Sequence, residues 1–384
     1  MTRAPVKPEM LRWAIERARV SPDDLSARFK KLEEWLQGDV QPTLKQLDAF
    51  ANAVHVPVGY LFLPEPPEEQ LPIPDFRTVA GRPLERPSPN LLEMIYACQE
   101  RQSWYAEFAR LYQEPALPFV GSATLDTAPE VVAARIRDTL GFSIEERRDC
   151  ATWTDALRLF IRRADDSGIL VMVSGIVFSN TNRRLDVDEF RGFALVDRRA
   201  PLVFINGADS KAAQMFTLAH ELAHIWLGTS ALSNASAQPA GGVRREEVWC
   251  NKVAAELLMP LDAVRAELQP NEPLADTLRR LARQFKVSTL VVLRRLLDAG
   301  HLTRPQFDAA WQDELDHIRE ISQGASGGGN FYRTTLSRVS HRFTKALVVS
   351  TLEGQTLYRD AFRMLGVRKT ETFNNLGREV GVMM

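Results

Sequence analysis

From Pro8 to about Leu63 the apolar residues recur every three to four positions, as in Leu11, Ile15 and Ala18, then Leu25 and Phe29, then Leu32, Trp35 and Leu36. That period predicts short amphipathic helices. Serine, proline and aspartate at 21–24 mark a helix start and Gly38 a stop. The same helical period returns over 90–114, 128–139 and 152–166. After Gly168 the pattern changes. GILVMVSG, FRGFALVD and APLVFIN are short β-branched and aromatic runs that predict strands, the last two joined as a hairpin around Arg198 and Arg199. A long helix follows from about Asp209 and Ser210. A Ser/Ala/Asn-rich loop closed by Gly241 and Gly242 leads to a second helix from about Arg245 to Met259, ended by Pro260. Residues 274–299 read as helix, turn at 286–288, helix. No repeat of fixed period is present.

Proline density sets the boundaries. PEPPEEQLPIPDFRTVAGRPLERPSP, residues 64–89, excludes helix interiors and central strands and favours extended backbone. It predicts a linker, or a strap whose Ile73, Phe76 and Val79 dock on a neighbouring domain. GASGGGN at 324–330 predicts a second linker, and a basic segment at 331–384 keeps a residual helical pattern.

Composition narrows the classes. The 384 residues are 45% hydrophobic and 25% charged, enough chain for several modules. Lysine and arginine number 48 against 49 acidic residues, so no global field draws phosphate or anionic lipid. Any nucleic-acid contact must come from a local patch. Three cysteines, Cys98, Cys150 and Cys250, lie far apart and suit a reducing, cytoplasmic setting. Neither a signal peptide nor a run of about 18 apolar residues is visible, so we expect no membrane span.

The chemistry concentrates in TLAHELAHIW, residues 217–226. Helix positions four apart stand on one face, so His220 and His224 would both reach one zinc ion. Glu221 between them would take a proton from zinc-bound water as it attacks a carbonyl and pass it to the leaving amine. A catalytic zinc needs a third protein ligand. Glu246 and Glu247 open EEVWCNKVAAELLMP, and helical geometry leaves the choice between them open. Cys250 reads as a buried structural residue, Trp226 and Trp249 as core, and His301 as a loop or cap residue. The oxyanion stabiliser would be a tyrosine, histidine or arginine brought in by folding.

AHELAHIWLG followed by EVWCNKVAAELLMP resembles the ImmA/IrrE family of metallopeptidases, whose pattern has a His-Glu-His helix, a glutamate four residues before an asparagine, and a run ending in Leu-Met-Pro. The resemblance implies zinc ligands His220, His224 and Glu247, with Glu221 as general base and Asn251 at the motif asparagine. Glu246 falls outside it and serves as a solvated helix-start charge. It also implies a narrow protein substrate, a partner transcriptional repressor or antitoxin, cleaved in stress or mobile-element regulation. KLEEWLQGDVQPTLKQLDAFANAVHVPVGYLFL is similar to the later helices of Xre-type, lambda-repressor-like domains, but the turn and start of a recognition helix are missing upstream of it. Arg279, Arg280, Arg283, Lys286, Arg294 and Arg295 would make a basic patch on the 278–297 helix pair.

The expected fold is α+β, with a zincin-like core of a small antiparallel-containing sheet and the HExxH helix, flanked by all-helical modules. The expected domains are a degenerate helix-turn-helix at 1–63, the strap at 64–89, the metallopeptidase at 90–270, a helix-turn-helix-like region at 271–323, the linker at 324–330 and the basic module at 331–384. The expected activity is zinc-dependent endopeptidase hydrolysis. The competing class is a DNA-binding regulator or antitoxin-like component with a non-catalytic zinc fold, against which the base Glu221 argues, since a structural site needs none.

Overall fold

The computed structural model describes residues 3–75, 78–79, 82–83, 87–233, 244–322, 336 and 338–383. The expected linker at 324–330, Phe76 of the strap and the Gly241–Gly242 turn lie outside them. The chain forms two compact units, Met1–Pro72 with Glu85–Tyr96, and Ile73–Leu84 with Ala97–Met384.

The first unit carries α1 (Pro8–Ala18), α2 (Pro22–Arg28), α3 (Leu32–Gln37), α4 (Leu44–Ala53) and a 3-10 turn, Val58–Phe62. Phe29, Trp35 and Phe50 meet at its centre, with Trp35 edge-on to Phe50 at 6.4 Å between ring centroids. Thr43 and Gln46 form a reciprocal capping box that starts α4. Three residues separate α2 from α3, and α3 buries Leu32 and Trp35 while Glu33 and Glu34 occupy its first turn.

The second unit is α+β, mostly helical. A two-residue ladder pairs β1 (Thr78–Val79) with β2 (Arg82–Pro83). Helices α5 (Pro89–Leu111), α6 (Pro129–Leu140), α7 (Ile144–Arg148) and α8 (Trp153–Asp166) follow; α5 begins in the first unit. The strands are β3 (Leu170–Ser174), β4 (Ile176–Val177), β5 (Asn180–Arg184), β6 (Gly192–Leu195), β7 (Leu202–Asn206) and, after α9 (Lys211–Leu227), β8 (Ala231–Ser233). The sheet order is β3-β7-β6-β8. The expected hairpin is β6–β7, in register Gly192↔Ile205 to Leu195↔Leu202. β3 instead pairs parallel to β7, which makes the sheet mixed. Two-residue β4 and three-residue β8 are too short to show periodicity, and β5 is mostly exposed and wholly polar, Asn-Thr-Asn-Arg-Arg.

Helix α9 is buried from Gln214 to Trp226, all the way round, because the sheet covers one side while α8 and α10 (Arg245–Leu258) cover others. Ser210 caps its start, accepting from the Ala213 N–H at 3.2 Å, and Gly228 at φ 77° ends it. Three arginines meet the last carbonyls of α10. Arg137 donates to Glu256 O at 2.8 Å, Arg147 to Leu258 O, and Arg295 to Met259 O at 2.8 Å while its guanidinium pairs with the Glu256 carboxylate. Cations there satisfy acceptors that a helix terminus leaves open.

After α11 (Leu261–Glu267) come α12 (Leu274–Phe285), α13 (Thr289–Asp298) and α14 (Arg304–Ser322). We expected 271–323 to be separate. Leu281, Phe285, Leu296 and Phe307 instead lie in the same core as Leu218 and Leu222 of α9, so the apolar faces of these helices pack both on one another and on the peptidase-like core. The expected basic C-terminal module is likewise part of this unit, as α15 (His341–Leu352), α16 (Tyr358–Leu365) and α17 (Thr370–Glu379). Ser340 Oγ and the Arg342 N–H donate to Asp165 at the end of α8, at 2.5 and 2.7 Å, and Arg101 Nε donates to Met364 O at 2.9 Å. At the strap, Ile73 is buried and Leu232 N–H of β8 donates to Pro74 O at 3.0 Å, so the chain before β1 runs along the β8 edge. Among the described residues no helix is long and apolar enough to cross a membrane.

Candidate metal centre

His220 and His224 stand one turn apart on α9, their rings edge-to-face at 4.9 Å between centroids. The Nε2 atoms are 3.1 Å apart. Packing of α10 on α9 brings Glu247 to them, with Oε1 3.1 Å from His224 Nε2 and Oε2 3.4 Å from His220 Nε2. Helical spacing left Glu246 and Glu247 equivalent, and the structure separates them. Glu247 is buried against the histidines, whereas Glu246 is half-exposed in the first turn of α10, where a carboxylate is favourable.

Asn251, one turn beyond Glu247, has Oδ1 3.0 Å from His220 Nδ1. A carbonyl oxygen only accepts, so this contact puts the proton on Nδ1 and leaves the Nε2 lone pair facing His224 and Glu247. Burial alone would push His220 down, but the Glu247 carboxylate outweighs it and holds the imidazole up. Burial lowers His224. Burial would raise Glu247, yet the two imidazoles bring it down to about 2.

Glu221 is fully buried, and burial raises its carboxyl to about 8 against the opposing pull of His220 and Ser233. Its Oε1 accepts a hydrogen bond from Ser233 Oγ on β8, while Oε2 has no hydrogen-bond partner among the described residues. Gly192 of β6 makes room for it. A Cβ there would stand 2.6 Å from Thr217 Cγ2, 2.9 Å from Phe204 O and 3.0 Å from Glu221 Oε1.

The three side chains fit a divalent ion. His220, His224 and Glu247 form a buried cluster with one ligand atom each inside 4.8 Å of the others. Two ligands held about 2.0–2.1 Å from one tetrahedral ion stand roughly 3.3 Å apart, close to the 3.1 and 3.4 Å observed. Two nitrogens and a carboxylate form a donor set that zinc accepts. Cys250 is buried outside that cluster, and burial drives its thiol well up, so it is a structural residue. Trp226 stacks on Phe119 at 4.4 Å and Trp249 Nε1 donates to Thr127 O at 2.9 Å, which places both in the core. His301 is exposed just after α13.

The cations of 278–297 do not form one basic face. Arg280 pairs with Glu272 at 2.7 Å, Arg294 with Asp298 at 3.0 Å and Arg279 with Asp276 at 3.8 Å. Arg295 is buried on Glu256, and Lys286 Nζ is buried on Arg283 O at 2.8 Å. Sequence reasoning missed Ser233 and Gly192. No local pattern marks them, since both act through sheet pairing with each other.

Residues 164–297 match a peptidase family model described as the IrrE N-terminal-like domain. The match spans the sheet, α9 and α10 and points to a metallopeptidase-type activity for the segment with His220, Glu221, His224 and Glu247. Residues 339–379 match a domain of unknown function, DUF8813. No curated protein matches the sequence.

Proposed function

We propose that this chain is a zinc-dependent metallo-endopeptidase with a zincin-like core, in which His220, His224 and Glu247 hold the ion and Glu221 is the general base. The observation that carries the reading is the convergence of two Nε2 atoms and one carboxylate beside a second buried carboxylate with an unpartnered oxygen. Bound by these three side chains, zinc would supply Lewis acidity, polarising the scissile carbonyl and making water nucleophilic near neutral pH.

The residues do the rest. Asn251 holds the His220 tautomer. As water attacks, its O–H bond breaks, the oxygen pair forms the bond to the carbonyl carbon, and the proton goes to Glu221. When the C–N bond breaks, the nitrogen keeps the pair and takes that proton from Glu221. Its place supports this role, since Glu221 is buried between the two histidines on α9 and keeps Oε2 without a hydrogen-bond partner among the described residues.

The substrate we propose is a partner protein, a transcriptional repressor or antitoxin, cleaved in stress or mobile-element regulation. The similarity of the N-terminal unit to repressor-like domains supports it. A DNA-binding regulator draws less support, since carboxylates neutralise most cations of α12 and α13. The test is elemental analysis of wild type, Glu221→Gln and His220→Ala, with cleavage of a co-expressed candidate repressor scored in parallel. We expect one zinc per chain in wild type and Glu221→Gln, little in His220→Ala, and cleavage by wild type alone. Zinc retained in His220→Ala, or a zinc-loaded wild type that cleaves nothing, would overturn the assignment.

A further inference from the structure

Glu221 has two carboxylate oxygens, and the fold treats them differently. Oε1 accepts from Ser233 Oγ and lies against the bare backbone of β6, where even a methyl group at Gly192 would come to 3.0 Å. Oε2 is buried with no hydrogen-bond partner among the described residues. Buried polar atoms are rarely left so, and the cost falls hardest on a charged group.

Ser233 is held as firmly as the carboxylate it meets. It is fully buried, and its strand register places it opposite Gly192, so the hydroxyl and the glycine gap flank the same oxygen. Each side of β8 is pinned. Val196 N–H donates to Ser230 Oγ at 2.8 Å on the β6 side, and Leu232 N–H donates to Pro74 O at 3.0 Å on the other. A hydroxyl donor on such a strand can set the torsion of a carboxylate, because the terminal torsion of glutamate is otherwise broad.

We propose that Ser233 is a positioning residue that fixes the Glu221 carboxylate with Oε1 engaged, so that Oε2 is the oxygen that takes and returns the proton. The proposal rests on the peptidase reading above and adds an atom and a residue to it. Ser233 lies outside the His220–His224–Glu247 cluster and would act through its hydrogen bond to Glu221. In proton balance nothing is consumed: the Ser233 proton stays on Oγ throughout, and the transferred proton passes from water to Oε2 to the leaving nitrogen.

The test uses the full zinc-loaded chain as wild type, Ser233→Ala, Ser233→Thr and Glu221→Gln. Crystal structures give the Glu221 torsion without any need for turnover, and cleavage of the co-expressed candidate repressor gives kcat and KM. In Ser233→Ala we expect unchanged zinc content, unchanged KM, a Glu221 carboxylate turned from its wild-type orientation, and kcat lower by about 10- to 100-fold, the scale of a misplaced catalytic group. Ser233→Thr, which keeps the hydroxyl, restores the orientation and most of kcat. A hydrogen bond that only supports the fold would lower melting temperature and leave the orientation and kcat of the folded enzyme as in wild type, which overturns the proposal. An unturned Glu221 in Ser233→Ala overturns it as well. Loss of turnover in Glu221→Gln but not in Ser233→Ala defeats this proposal and leaves the peptidase reading standing. A zinc-loaded wild type without turnover defeats both.

Discussion

Gly192 and Asp165 show how much single residues carry. A methyl group at Gly192 would meet the Thr217 methyl, the Phe204 carbonyl and Glu221 Oε1 at once, and all three belong to buried residues of α9 and β7. We expect Gly192→Ala to lose about 1–3 kcal/mol in denaturant melts. Its turnover should drop further than stability explains, because the clash also moves Glu221; an alanine variant as stable and active as wild type would refute the close approach. Asp165 ties α8 to α15 through Ser340 and Arg342. Burial raises its carboxyl despite those donors. An acid whose folded value is raised contributes stability below the ordinary carboxylate range and loses it as pH rises through the folded value. Asp165→Asn, which removes one acceptor, should cost about 1–3 kcal/mol near pH 5. Its deficit against wild type should narrow as pH rises from there, as thermal melts would show; a deficit that widens would contradict the direction.

At the scale of elements, α10 matters most, since it delivers both Glu247 and Asn251. Arg137, Arg147 and Arg295 converge on its final carbonyls, and Arg295 also neutralises Glu256. Removing one partner of a buried pair leaves the other uncompensated. Arg295→Met should therefore destabilise by about 3–5 kcal/mol, and Glu256→Gln added to it should recover part of that loss. Equilibrium unfolding of the two variants checks this; strictly additive losses would deny the pairing. The α12–α13 pair has the opposite character. Most of its cations are met by Glu272, Asp276, Glu256 and Asp298, which reduces the charge that could release counterions from a phosphate backbone. Gel shifts of duplex DNA between 50 and 200 mM salt should show weak binding at most, whereas a steep log–log dependence would revive the DNA reading.

For the whole molecule, the two units differ in what they hold. The cluster of His220, His224 and Glu247 lies wholly within the second, and a ligand that binds only the folded state stabilises the unit that binds it. Calorimetry with zinc and with a chelator should move the transition of the larger unit and leave that of the smaller one in place. In His220→Ala neither transition should respond to zinc. A chelator that shifts both transitions equally would mean that metal reports on the chain as one cooperative block.

Contiguous residues and helical period were enough to read the His220–Glu221–His224 spacing, the start of α9, the β6–β7 hairpin and the α12–α13 pair, because each is set by neighbours within a few positions. The choice of Glu247 over Glu246 was open from spacing alone, since both lie in one helical turn and the crossing of α10 over α9 selects which is buried. Ser233 and Gly192 were invisible for a related reason: a three-residue strand has no period, and its register comes from a partner forty residues away. The parallel β3–β7 pairing and the merging of α12 to α17 into one unit likewise depend on which apolar faces find each other. Spacing along the chain supplied the chemistry, and packing between distant segments set the orientation of the groups that would perform it.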